Sequence, residues 1–205
     1  MSSPGFDSGS NPPLPLHSHE GAIGSYRREV LSSNHLQFIS DFTCAGPDCT
    51  TETRWERDVS QWIKLPKGAG GALDAMSIGE STVWLFFENN SQNLIGYGSL
   101  GPINMPVGDE SIEAWLIPYF GVSTNFQGQP KSVDRRYRYA RRIFQSLIDE
   151  AKRKETHRNL FLYVDFENTK AIESFYPDFG FAVLGTEIDE TAGRTWILMH
   201  RDLAD

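Results

Sequence analysis

The sequence predicts an α+β chain in which helices pack on a mixed β-sheet. Three observations carry that prediction. Ser81–Phe87 and Leu94–Leu100 are apolar strand-forming runs, and the turn residues Glu88-Asn-Asn-Ser-Gln-Asn93 between them mark an antiparallel hairpin. Ile112–Val122 reads as an apolar strand, followed by a polar loop and an amphipathic helix ending near Lys154. Leu160-Phe-Leu-Tyr-Val164 then gives the continuous apolar run of a strand covered on both faces. Strand, helix, strand is a crossover between parallel strands, so parallel and antiparallel pairs share one sheet.

Taken in order, residues 1–24 are rich in Ser, Pro and Gly and poor in large apolar residues, the composition of a disordered tail. The pair His17 and His19 within it lacks a third metal ligand set by a scaffold. Residues 25–205 are expected to form a single domain. Within it, His35–Phe42 suits a short strand, and Cys44-Ala-Gly-Pro-Asp-Cys49 a turn-rich loop. No second Cys or His pair completes a zinc set with these cysteines, and no metal is expected. Thr50–Leu65 reads as a helix: Trp55, Val59, Trp62 and Ile63 share one face, Thr50 or Thr51 serves as cap, and Pro66 ends it. Lys67–Gly71 is a glycine-rich connector or hinge, and Pro102, Pro106 and Gly108 mark a loop before the strand at Ile112. The long helix is the clearest, since Ala140, Ile143, Phe144, Leu147, Ile148 and Ala151 recur at three- and four-residue spacing. Asn168–Tyr176 follows as a short helix capped by Asn168, and Phe179–Leu184 and Arg194–His200 complete the sheet as strands.

Composition narrows the function classes. The 205 residues are 39% hydrophobic and 22% charged, ordinary for a globular domain, and the net charge of -8 supplies no global attraction to nucleic acid or anionic membranes. One basic segment stands out, with Lys131, Arg135, Arg136, Arg138, Arg141 and Arg142. No apolar run approaches the roughly 20 residues of a bilayer span. Two cysteines are too few for a disulfide framework, so a cytoplasmic location is expected.

Two patterns, together with the element order, resemble the GCN5-related N-acetyltransferase (GNAT) superfamily over roughly Leu36 to Leu203. The first is Asn168-x-x-Ala171-x-x-x-Phe175-Tyr176-x-x-x-Gly180-Phe181, directly after the strand at Leu160–Asp165. The second is Leu94-Ile-Gly-Tyr-Gly-Ser-Leu100, which is similar to a family strand opening with an apolar residue and glycine. A weaker likeness, Phe42-Thr-Cys44 before a Trp-bearing helix, resembles a subgroup that includes aminoacyl-tRNA-acetylating toxins.

The resemblance implies a three-layer α-β-α acyl-CoA N-acyltransferase fold whose sheet splays centrally around the acyl donor. It implies acetyl-CoA as that donor, with an amine attacking the thioester directly. The splaying strands would be Ile112–Val122 and Leu160–Asp165. Pro118 suits the point of opening, because a proline cannot donate to a ladder and leaves backbone groups for a ligand. Backbone near Phe120, Gly121 and Val122 would polarise the thioester carbonyl, and Asn168 would bond the donor's amide chain. Tyr176 matches the tyrosine that protonates the departing thiolate, and Glu113 is the candidate base for the incoming ammonium.

The loop before the long helix departs from the family's Gln/Arg-x-x-Gly-x-Gly/Ala form. Here it reads Phe126-Gln-Gly-Gln-Pro130, and Tyr139 and Arg142 stand where small residues let phosphate approach the backbone. Two outcomes stay open. Gln127, Gly128 and Gln129 could bind pyrophosphate with Arg135, Arg136, Arg138 or Arg141 neutralising it. Alternatively, the chain is a non-catalytic relative with a regulatory or protein-interaction role. The acceptor could be a small molecule or a peptide amine, an aminoacyl-tRNA is a further option, and a homodimer is possible.

Overall fold

The computed structural model describes residues 26–45, 53–129 and 138–204. The predicted tail with His17 and His19, the residues Cys49, Thr50 and Thr51, and Lys131, Arg135 and Arg136 of the basic run lie outside these segments.

The described chain forms an eight-stranded mixed sheet, ordered β1-β2-β3-β4-β6-β8-β7 with β5 paired to β3. The strands are β1 Tyr26–Val30, β2 Thr82–Glu88, β3 Leu94–Val107, β4 Glu110–Ile117, β5 Phe120–Val122, β6 Asn159–Asp165, β7 Ala182–Asp189 and β8 Arg194–Asp202. All neighbours run antiparallel except β4 and β6, the pair joined through the long helix. Thus the mixed α+β architecture expected from the crossover is the one observed. The helices are α1 Leu36–Ile39, α2 Arg54–Lys64, α3 Ala72–Ser77 and α4 Tyr139–Lys154, with a π-helical turn at Ala171–Phe175. They make two outer layers. α4 and the π-turn cover one face of the sheet, and α1–α3 cover its N-terminal half on the other.

Burial explains the layers. Ile143, Phe144, Leu147, Ile148 and Ala151 of α4 are fully enclosed and meet Ile95, Ile117, Leu160 and Leu162 of the sheet. Gly98 permits this approach, because a Cβ there would stand 2.6 Å from Leu147 Cδ1. Opposite, Trp62 and Ile63 of α2 pack with Val83, Leu85, Phe87 and Tyr97, and the Tyr97 hydroxyl donates to the Val59 carbonyl at 2.6 Å. α2 begins at Arg54 with Thr53 as N-cap. Glu56 accepts from the Thr53 amide at 2.8 Å, and the Thr53 side chain accepts from the Glu56 amide at 3.4 Å.

Four local expectations change. Residues 33–39 are helical, as a 3₁₀ turn followed by α1, and not a strand; Ile39 and Phe42 are buried at helical spacing. β1 and α3 were not anticipated. The predicted loop at Pro102–Pro106 is instead a continuation of β3, which pairs with β4 from Gly101 to Val107. Beyond Leu100, β3 has lost β2, so proline nitrogens can face an open edge. The Lys67–Gly71 connector is pinned, with the Asp74 carboxylate accepting from the Gly68 and Gly70 amides at 2.7 Å each.

Candidate active-site cleft

The sheet opens where Pro118 interrupts the strand. β4 holds β6 through Trp115, Leu116 and Ile117, and the pairing then stops. β5 turns to β3, while Tyr163–Asp165 of β6 pair only with β8 among the described residues. A cleft of about 1050 Å³ passes through the gap, from α4 and the π-turn on one face to α2 on the other.

Backbone direction in β5 follows from its neighbours. The Ser99 amide donates to the Tyr119 carbonyl and the Ser123 amide to the Ile95 carbonyl, so Tyr119, Gly121 and Ser123 direct their polar groups at β3. Alternation then turns those of Phe120 and Val122 toward the gap. The Val122 carbonyl already accepts from Gln127 Nε2 at 3.2 Å. Of the three residues expected to polarise a thioester, Phe120 and Val122 therefore offer amides to the cleft, and Gly121 does not. Gly121 has another role: a Cβ would lie 2.7 Å from both Cys44 Sγ and Val59 Cγ1.

Asn168 and Tyr176 reach the cleft from the segment after β6. The Asn168 side-chain oxygen accepts from the Ala171 amide at 3.4 Å, and its carbonyl from the Ala171 and Ile172 amides, which starts the helical turn. Its side-chain NH₂ has no partner among the described residues. Tyr176 is half-buried among Phe144, Phe175 and Phe181, with ring centroids at 5.2, 5.2 and 6.3 Å. This apolar setting pushes its phenol up to about 12, so it stays protonated through the neutral range.

Glu113 is not brought to this group. Its side chain is 78% exposed near the start of β4, with His157 Nδ1 3.9 Å from its carboxylate, and it does not line the cleft. The carboxylates that line it include Asp165, Glu187 and Asp189.

At the head of α4, Gln127 lines the cleft but its side chain ties the loop to the Cys44 carbonyl at 2.5 Å. Gly128 takes a positive φ of 67°, and the Gln129 amide is committed to the Phe126 carbonyl at 3.1 Å. Arg141 bonds Asp178 at 2.8 Å and lies over the Phe179 ring, its side chain only 14% exposed. Arg138 is the N-cap, and its Nε is buried without a hydrogen-bond partner among the described residues. The first turn of α4 contains no acid. Arginines at the positive end of a helix dipole are an unfavourable arrangement that a bound anion offsets.

The α2 side of the cleft carries groups that the sequence reading did not single out. Tyr163 donates to Glu187 at 2.9 Å, and Arg194 pairs with Asp58, joining α2 to the β7–β8 hairpin. Period-2 alternation in β6 could have placed Tyr163 and Asp165 opposite Leu162 and Val164, but nothing local marked Glu187 as their neighbour.

No family model and no curated protein sequence matches the chain. Solved structures do match. One is described as an acetyltransferase of the GNAT family from Desulfovibrio desulfuricans, at 17% identity and TM-score 0.54 over 87% of this chain and 98% of that one. A spermidine N-acetyltransferase chimera from Vibrio cholerae gives 16% identity and TM-score 0.53, covering 87% and 96%. The AtaT toxin with its antitoxin AtaR and acetyl-CoA gives 11% identity and TM-score 0.55, covering 87% and 94%. This chain has the GNAT acyl-CoA N-acyltransferase fold.

Proposed function

We propose that the protein is an acyltransferase that moves an acetyl or other acyl group from acyl-CoA to a primary amine by direct attack. The observation that carries this reading is the opened sheet: the gap-facing backbone of β5 lies across from Asn168 and Tyr176, and α4 begins nearby with an arginine cap and no acid in its first turn. In this reading Phe120 and Val122 hold the donor through their amides, and the Asn168 NH₂ bonds its amide chain. Arg138 and the first turn of α4 meet its pyrophosphate. The ammonium first loses a proton to solvent; as the amine nitrogen then bonds to the acyl carbon and the carbon–sulfur bond breaks, Tyr176 gives its proton to the thiolate and regains the one that the new amide nitrogen sheds. Burial that raises the phenol also raises the thiolate's demand for a proton, so the two remain matched.

The test is thermal unfolding with CoA and acetyl-CoA, since a ligand bound to the native state raises its stability. A rise at saturating CoA is expected. Tyr176→Phe should keep that rise and lower acetyl transfer to a responsive amine by about 100-fold, within the usual range for losing a general acid. Absence of any shift refutes the enzyme reading. It favours the second one, a non-catalytic module, which the committed Gln129 amide and Arg141 side chain support.

A further inference from the structure

The α2-side half of the cleft has its own chemistry. Asp165, Trp196 and Glu187 are directly paired across β6, β8 and β7, which puts their side chains in one row on one face of the sheet. Tyr163, two residues before Asp165, shares that face. Trp55 and Trp62 of α2 line the opposite wall, with Trp62 stacked on Tyr119 at 4.2 Å between ring centroids. The chamber is therefore walled by flat rings.

Its three sheet carboxylates each accept one hydrogen bond through one oxygen and differ in what orients them. Arg194 pairs with Asp58 through Nη1 and lies 5.2 Å over the Trp196 ring, while its buried Nε has no hydrogen-bond partner among the described residues. Asp165 accepts from the Glu167 amide at 2.9 Å, and Asp189 from the Ala192 amide at 2.9 Å. Glu187 accepts from the Tyr163 hydroxyl through Oε1, while its Oε2 has no partner among the described residues. Glu187, exposed at the rim, is thus the carboxylate oriented by a hydroxyl of the chamber wall, whereas Asp165 and Asp189 are held by backbone amides of their own turns.

We infer that the acceptor is a cationic primary amine carried on a flat apolar body, its ammonium received by Glu187 and its body held between the aromatic walls. This rests on the acyltransferase reading for the word acceptor, but the binding it describes does not need the donor. Carboxylate and rings act together, since a cation at the rim gains from both an anion and ring faces. Groups of the opposite sign, such as a phosphate backbone or an acidic peptide, would meet Glu56, Asp58, Glu187 and Asp189 in the same chamber.

Calorimetric titration of tryptamine into the full-length protein, with and without CoA, tests this. Tryptamine should bind. Tryptophan, which adds a carboxylate to the same ring and amine, and 3-ethylindole, which lacks the ammonium, should each bind at least 10-fold more weakly. Glu187→Gln should weaken tryptamine at least 10-fold and leave the CoA-induced thermal shift unaltered. Tyr163→Phe, which removes only the orienting hydroxyl, should weaken it about threefold. No tryptamine binding, tryptophan binding as tightly, or less than a twofold effect of Glu187→Gln would each overturn the inference. A CoA shift without tryptamine binding removes the inference alone; tryptamine binding without a CoA shift supports it and removes the acyltransferase reading.

Discussion

Replacing Gly96 by alanine tests whether the opening of the sheet depends on close approach of β5 to β3. Gly96 pairs with Val122, and a Cβ there would stand 2.4 Å from the Gly121 carbonyl oxygen, 3.2 Å from Val122 Cα and 3.3 Å from Ile143 Cδ1. Close carbon–oxygen contacts in sheets lie at about 3.3–3.6 Å, so the oxygen must retreat by about 1 Å. It belongs to backbone, and a rotamer change cannot relieve it. Overpacking of this kind costs about 1–3 kcal/mol, offset by about 0.5–1 kcal/mol because alanine suits a strand better than glycine. The net cost reaches about 2.5 kcal/mol, and at about 2–4 °C per kcal/mol for a chain of this size Tm should fall by up to about 10 °C. The retreat also drives β5 into the gap, so CoA affinity should drop in parallel. Gly185→Ala is the control: nothing lies within 4 Å of its Cβ position, and Tm should hold. Differential scanning fluorimetry and CoA titration read both quantities. If Gly96→Ala matches the Gly185→Ala control in Tm and CoA affinity, the packing argument is wrong.

Two other perturbations probe charge. Glu150, buried on α4, lies 2.6 Å from Arg153 and 3.3 Å from Arg28 of β1. Burial alone would raise its carboxyl, but the two arginines outweigh it and hold it below the ordinary value of 4.5. A depressed carboxyl contributes stability that is fully present above the ordinary value and is lost as pH falls through the lower folded one. Glu150→Gln should therefore cost about 1 kcal/mol at pH 7 in urea unfolding, since Arg153 is largely exposed, and the difference should shrink in acid. Arg138→Ala should weaken CoA about 10- to 100-fold, the worth of a charged hydrogen bond of about 1.5–3 kcal/mol, and flatten the salt dependence of binding; unchanged affinity would place the pyrophosphate elsewhere.

What the sequence made legible was what repeats locally. α4 is visible because its buried residues keep helical spacing over sixteen residues, and β6 because its apolar run is unbroken. α1 was misread because Leu36, Phe38 and Phe42 suggest alternation, whereas the residues that enter the core, Ile39 and Phe42, are three apart. β3 was cut short at its prolines, since whether a proline is tolerated depends on which neighbour a strand has, and that is set by topology. The same limit applies in the cleft. Asn168 and Tyr176 could be found from one contiguous pattern. Glu187 could not, because its link to Tyr163 crosses two strand pairings separated by 24 positions in the chain.

Glu113 illustrates the opposite error. It sits on the strand that opens, and its place in sequence suggested the cleft. Yet β4 and β6 remain paired through Ile117, so the gap begins only at Pro118, five positions further on. Glu113 lies in the closed part of the sheet, and its side chain meets solvent. Pro118 therefore does more than mark an irregular strand: it ends the β4–β6 pairing just after Leu116 and Ile117, which already line the cleft. It also separates two electrostatic regions concealed by the overall charge of -8. The head of α4 is basic with no acid in its first turn, while the α2 side collects carboxylates. A donor bearing phosphates and an acceptor bearing an ammonium would each be drawn to its own mouth, and would meet only in the gap the proline opens.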